Sequence, residues 1–138
     1  MTLTWPAIPH IPVAWGEVFD KLTILDIKLL HLRSPSQQQS LQSERQAIEQ
    51  AIGPRSRFPP GLDALVDALR ALNQQLWHVE EGKRRCEREQ CFDVHFVQLA
   101  REVYLKNDQR AVIKRQINDL LGSGLREEKS HQSVAPPG

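Results

Sequence analysis

The sequence predicts an all-α fold: a four- to five-helix antiparallel bundle with an extended Pro-rich N-terminal arm and a disordered C-terminal tail. Three observations predict it. Apolar residues recur at four-three spacing in four separate stretches, which puts them on one face of a helix. Caps, glycines and prolines punctuate those stretches. No stretch alternates apolar and polar residues as a half-buried strand does. The chain of 138 residues suits one helical domain, residues 1–130, with 131–138 as tail.

Pro6, Pro9 and Pro12 exclude regular helix from residues 1–14. Trp5, Ile8, Ile11, Val13 and Trp15 make this arm apolar enough to lie on the body. Helix one covers 16–33, where Val18, Leu22, Leu25, Leu29 and Leu32 form a stripe. Phe19, Ile24, Ile27 and Leu30 widen it, so burial on more than one side is expected. Ser34, Pro35 and Gln37 read as a capping box opening helix two, which Gly53-Pro54 closes. Its apolar face, Leu41, Ile48 and Ile52, is thin and suits the periphery. After the loop 53–61, helix three carries Leu62, Leu65, Leu69, Leu72, Leu76 and Val79. It then fades into a charged run weakened by Gly82. Asp93 is a candidate N-cap for helix four, with Phe92 and Val97 as a hydrophobic staple. Gly122-Ser123-Gly124 ends that helix. The proline-rich tail lacks apolar residues enough to pack.

Charge is nearly balanced, at a formal +1, which gives no footprint for nucleic acid. No apolar run is long enough to span a membrane. The first residues lack the basic and apolar regions of a signal peptide, so the expected location is cytoplasmic. Cys86 and Cys91 match neither a redox pair nor a zinc knuckle and are expected as free thiols. The five histidines show no ligand spacing. No cofactor fingerprint and no metal site are expected.

Residues 103–114, VYLKNDQRAVIK, interrupt the stripe of helix four. Extending the row of Phe96, Leu99 and Val103 leads to Lys106 and Arg110 before Ile113, Ile117 and Leu120. Two core positions would hold cations, and an unpaired buried cation costs several kcal/mol in effect. Either the helix ends and Asp108 caps a new one, or it continues past a polar cleft. In the second case Tyr104, Asn107, Arg110, Lys114 and Asn118 line one side. Arg and Lys with Asn and Tyr donors suit a phosphate, a carboxylate or a sugar.

Glu17, Asp20 and Lys21 share one turn of helix one. Glu17 and Lys21 are spaced for a surface ion pair, and acidic residues suit a helix start. The alternative is a Glu-x-x-Asp metal pair, but the second acidic pair such sites need is missing, since Glu80-Glu81 has no partner.

Four segments carry a resemblance: PVAWGEVFDKLTIL (12–25), LNQQLWHVEE (72–81), FDVHFVQLAREVYLKNDQRAVIKRQIN (92–118) and GSGLREEKS (122–130). Together they resemble a bacterial family of unknown function with a PVSxGExxDKxTIL motif near the start and VYxxNDxRAxIKRxIN near the end. The match takes in Gly16, Glu17, Asp20 and Lys21, then Tyr104, Asn107, Asp108, Arg110, Lys114, Arg115 and Asn118. The resemblance implies an association with glycosyltransferases and surface polysaccharide; the family is uncharacterised and has no established catalytic residues to carry over. The chain departs from the motif at Ala14, where the family has serine. A serine there would form a capping box with Glu17, and its loss is expected to cost about 1 kcal/mol.

Three readings follow. In the first, an accessory binding module holds an anionic metabolite, a nucleotide sugar or phosphorylated glycan precursor, between helices one and four. Glu17, Asp20 and Lys21 would face Arg101, Tyr104, Asn107, Arg110, Lys114 and Asn118. In the second, a small all-α enzyme uses Glu, Arg and Lys for electrostatic catalysis. In the third, a scaffolding or dimerising protein has no small ligand. Helix one then docks on a second copy or on a partner such as a glycosyltransferase, and the polar groups are a buried network.

Overall fold

A computed structural model of the chain describes residues 4–125, 128, 131, 133 and 134. Four α-helices pack against one another: α1, Trp15–His31; α2, Pro35–Ile52; α3, Leu62–Glu89; α4, Val94–Leu121. A 3-10 turn, Arg55–Arg57, lies between α2 and α3. Among the described residues there is no strand, and no helix is long and apolar enough to cross a membrane.

Neighbours in sequence run antiparallel. Lys21 meets Glu44 and Leu29 meets Gln38, so α2 descends along α1. Gln75 meets Lys106 and Gly82 meets Leu99, so α4 descends along α3. The central element is α1, which packs against all three others. Its wide apolar surface is consumed by that position. Phe19, Leu22, Leu25 and Ile27 are all buried inside the bundle, while Leu30 is 63 % exposed. The thin-faced α2 lies outermost, with Leu41 and Ile52 as its buried residues.

The core joins Phe19 and Leu22 of α1, Ile52 of α2, Leu62, Val66 and Leu69 of α3, and Ile117 of α4. Trp15 and Phe58 close its end. Trp15 stacks on Phe19 at 5.9 Å, and Phe58 meets both rings edge-on. Arg55 and Arg57, from the 3-10 turn, lie over Phe19 and Trp15 at 4.9 and 5.7 Å. Each guanidinium lies over a ring face, where the ring quadrupole attracts a cation.

The caps follow the sequence closely. Ser34 accepts from the Gln37 N–H and donates to its side chain. Asp93 accepts from the His95 and Phe96 N–H groups. Gly53 and Gly122 stand at the C-caps of α2 and α4. The staple differs by one residue: Phe92 packs on Phe96 at 5.2 Å, while Val97 is exposed.

One expectation needs correction. The arm does not lie on the body: Trp5, Ile8 and Ile11 are 69, 68 and 75 % exposed. The charged run after Gly82 stays helical to Glu89, and most of its residues are exposed, as expected of a solvated end. Gly82 is a close-approach residue, since a Cβ there would lie 3.0 Å from Leu99 Cδ1. The local cost of glycine in a helix, ~1 kcal/mol, is offset by letting α3 and α4 come together. The tail, 131–138, falls largely outside the described residues. Of those described, Val134 donates its backbone N–H to Asp108 at 2.7 Å.

Candidate functional site

The polar centre of α4 does not break the helix. It runs unbroken from Val94 to Leu121, and Asp108 caps nothing. The cation problem is solved by partners on the other helices instead. Lys106 donates to Gln75 of α3 at 2.9 Å. Arg110 reaches Asp20 of α1 with two nitrogens: Nε to Oδ1 at 2.9 Å, and Nη2 to Oδ2. Lys114 pairs with Glu17.

Asp20 is the centre of this arrangement. It is 3 % exposed, so its charge needs full compensation. Besides Arg110, it accepts from Asn73 Nδ2 at 2.8 Å. The same Asn73 amide donates to Thr23 Oγ1 at 2.9 Å, and the Thr23 hydroxyl donates to the Asp20 carbonyl at 2.8 Å. Arg110 Nη1 also donates to Asn107 at 3.3 Å. A bidentate Arg–carboxylate pair of this type is strong and directional. It fixes α1, α3 and α4 in one register.

One level toward the N-terminus of α1, Asn118 does a second structural task. Its Oδ1 accepts from the Gly16 N–H at 2.7 Å and from Ser123 Oγ at 3.3 Å. Ser123 Oγ in turn accepts from the Trp15 N–H at 3.0 Å. Ala14, the N-cap, supplies no side-chain acceptor. The end of α4 therefore caps the start of α1 from across the bundle. The expected penalty for alanine at position 14 is met by Asn118 and Ser123. Gly16 permits this approach: a Cβ there would stand 2.6 Å from the Lys114 carbonyl oxygen.

Glu17, Asp20, Asn107, Arg110, Lys114 and Asn118 are thus brought onto one seam between α1 and α4. Three of the nine candidates lie elsewhere. Lys21 is exposed and pairs with Glu44 of α2 at 3.0 Å, so the expected Glu17–Lys21 pair does not form. Arg101 is exposed, and Tyr104 is 43 % exposed. Helix geometry accounts for this. At 100° per residue, Tyr104 lies ~120° and Arg101 ~180° around α4 from Arg110.

Two participants escaped the sequence reading, Thr23 and Asn73, at 0 and 6 % exposure. Asn73 had a signal. It extends the buried row of Leu62, Val66 and Leu69 at helical spacing, and an amide in such a row asks for a polar partner.

Beside the network lies an open cavity of about 190 Å³, lined by Ile24, Ile27, Leu76, Trp77, Glu80 and Arg110 among others. Trp77 forms a firm wall there. His31 stacks on it at 4.7 Å, and its indole N–H donates to Glu81 at 3.1 Å. A second charge cluster stitches the outer helices. Asp26 of α1 takes Arg45 of α2 at 2.6 Å and Arg70 of α3 at 3.3 Å, and the Asp26 hydrogen bond is the main reason the Arg45 pKa is raised. Among the described residues no group of three His, Cys, Asp or Glu is placed to hold a metal ion. Cys86 and Cys91 are free thiols.

No family model, no curated protein and no solved structure matches this chain.

Proposed function

We propose that this chain is a cytoplasmic helical scaffolding module, with no small-molecule substrate, whose polar seam sets how its helices pack. One observation supports the reading above the rest. The cations of α4 that face the other helices spend their donors on partners there: Arg110 on buried Asp20, Lys114 on Glu17, and Lys106 on exposed Gln75. A site built to clamp a phosphate keeps its guanidinium available for the ligand. Here both oxygens of Asp20 occupy that fork. Following the resemblance, the partner we propose for the scaffold is a glycosyltransferase.

The test is a thermal-shift comparison of wild type with Asp20→Asn/Arg110→Met. The scaffolding reading expects no shift from nucleotide sugars, sugar phosphates or divalent cations with either protein. It also expects the neutral pair to fold with the same helix content. A ligand that stabilises only the wild type would overturn it.

A second reading has one observation in its favour. Arg110 lines the 190 Å³ cavity as well as holding Asp20. In this reading the module binds an anionic metabolite, a nucleotide sugar or phosphorylated glycan precursor, between α1 and α4. Saturating such a ligand at 100 times its Kd would add ~2.7 kcal/mol to stability, well within the reach of the same screen.

A further inference from the structure

The outward face of α4 carries a row of side chains that the bundle does not use. Val94, Val97, Arg101 and Tyr104 step along it by three and four residues, and Leu105, Asp108, Val112 and Arg115 continue it. At 100° per residue the row keeps within about 100° of arc, on the far side of the helix from buried Ile117. Every member is exposed except Leu105 and Asp108, which are half-buried. Single valines on a surface are ordinary. Here three valines and a tyrosine share one line. The line also holds Arg101 and Tyr104, which the turn of the helix carries away from the seam. Among the described residues neither Arg101 nor Arg115 has an ion-pair partner.

The row is complementary to its own reverse. Set a second α4 antiparallel to the first, with a two-fold axis between Tyr104 and Leu105. Positions equally far from that midpoint then face each other. Tyr104 meets Leu105, Arg101 meets Asp108, and Val97 meets Val112. Apolar residues meet apolar residues, and the two charges have opposite signs. Further out, Arg115 meets Val94 and comes beside the carboxylate of Asp93. A parallel alignment of the same row instead sets Arg101 against Arg101 and Asp108 against Asp108.

We propose that two copies of this chain associate through the outward faces of α4, antiparallel, with the Arg101–Asp108 pair made twice across the two-fold axis. A two-fold contact uses one patch on both copies, so a residue and its partner exchange roles across the axis. The Arg101–Asp108 relationship has that form. The valines, Tyr104 and Leu105 supply the apolar contact, and the crossed charges fix direction and register, because like charges across an interface exclude the wrong alignment. Asp108 also accepts the Val134 N–H at 2.7 Å. A carboxylate accepts several donors at once, so the pair does not require that contact to break. The proposal rests on the scaffolding reading for the use of the dimer, to which it gives a second copy as partner. Its observations lie on the opposite face of α4 from the Asp20–Arg110 pair.

The experiment is mass measurement by light scattering across a concentration series, on the full chain and its charge-reversal variants, with circular dichroism to check the helices. The wild type is expected to dimerise. Arg101→Asp and Asp108→Arg each place two like-charge pairs in the interface and are each expected to weaken the dimer by roughly a hundredfold or more. The double variant Arg101→Asp/Asp108→Arg exchanges the signs and is expected to recover the dimer. An equal mixture of the two single variants is expected to do the same, since every crossed pair in the mixed dimer is again opposite in sign. A wild type that stays monomeric at millimolar concentration overturns the proposal and leaves this face to the chain's own tail or to a different protein. A dimer that withstands both reversals overturns α4 as its seat. Folded single variants that are not rescued by mixing overturn the antiparallel register. None of these outcomes depends on whether a small ligand shifts the melting temperature, so the two readings fail separately.

Discussion

Asp20 and Arg110, ninety residues apart, meet through two hydrogen bonds in the middle of the bundle. The carboxylate is buried and the guanidinium is partly open to solvent. Such a pair need not add net stability over apolar residues of the same shape, but breaking it leaves a charge with no outlet. Arg110→Ala is therefore expected to destabilise the fold by ~3–5 kcal/mol. Asp20→Asn/Arg110→Met removes both charges together and is expected to cost clearly less than Arg110→Ala. Urea denaturation of both variants checks the order. If the single and the double variant lose equally, the pair is not a coupled unit.

The start of α1 borrows its cap from α4, and this inverts the usual expectation for position 14. A serine at an N-cap ordinarily adds ~1 kcal/mol over alanine. Here the Trp15 and Gly16 N–H groups already have acceptors in Ser123 and Asn118. Ala14→Ser is expected to gain only a fraction of the ordinary value. Asn118→Ala orphans a buried Gly16 N–H and is expected to cost ~1–3 kcal/mol. In the Asn118→Ala background, Ala14→Ser should recover its full effect. A double-mutant cycle on thermal unfolding measures that coupling.

The four helices were legible because four-three apolar spacing and side-chain caps are local signals. Ser34, Asp93 and Gly53 needed no tertiary information to mark helix ends. Arg110 was legible as a cation in an apolar row, which is why the polar centre of α4 stood out. Its partner was not, because nothing local says which way the neighbouring helix is turned. Asp20 and Lys21 are adjacent in sequence yet lie ~100° apart on α1, enough to send one into the seam and the other to α2. The same rotation carries Tyr104 and Arg101 away, since steps of three residues each lag the helix by ~60°. The contact made at Gly82 was hidden for a related reason. Its cost is local and its benefit, contact with Leu99, is tertiary.

Gly16, in the first turn of α1, and Gly82, inside α3, are expected to respond in opposite directions to alanine. Both substitutions gain up to ~1 kcal/mol of helix propensity. At Gly16 the new Cβ meets the Lys114 backbone oxygen at 2.6 Å, and a backbone cannot rotate away. The α1–α4 seam must open, so Gly16→Ala is expected to destabilise by ~1–3 kcal/mol net. At Gly82 the obstacle is the end of the Leu99 side chain at 3.0 Å, which can turn. Gly82→Ala is expected to be neutral or mildly stabilising. Chemical denaturation of the two variants in parallel separates close backbone approach from close side-chain packing.

The start of α4 carries a pH dependence whose sign is set by Asp93. Its carboxyl is held below the ordinary carboxylate range, chiefly by the Phe96 N–H and then by the Cys91 thiol. A group with a lowered folded pKa contributes stability above its unfolded value and loses it as pH falls through the folded one. The cap is thus fully in force above about pH 4 and weakens in stronger acid. Hydrogen exchange at the His95 and Phe96 amides, corrected for intrinsic rate, is expected to speed up over that range. Asp93→Asn retains an acceptor and should abolish the dependence, whereas Asp93→Ala should expose both amides at every pH. The same contact acts on Cys91, whose thiol is pushed up, chiefly by its hydrogen bond to Asp93. Because the thiolate is the reactive form, Cys91 is expected to alkylate slowly at neutral pH despite its exposure, and faster in Asp93→Asn. An unchanged alkylation rate in that variant would mean that the carboxylate does not govern the thiol.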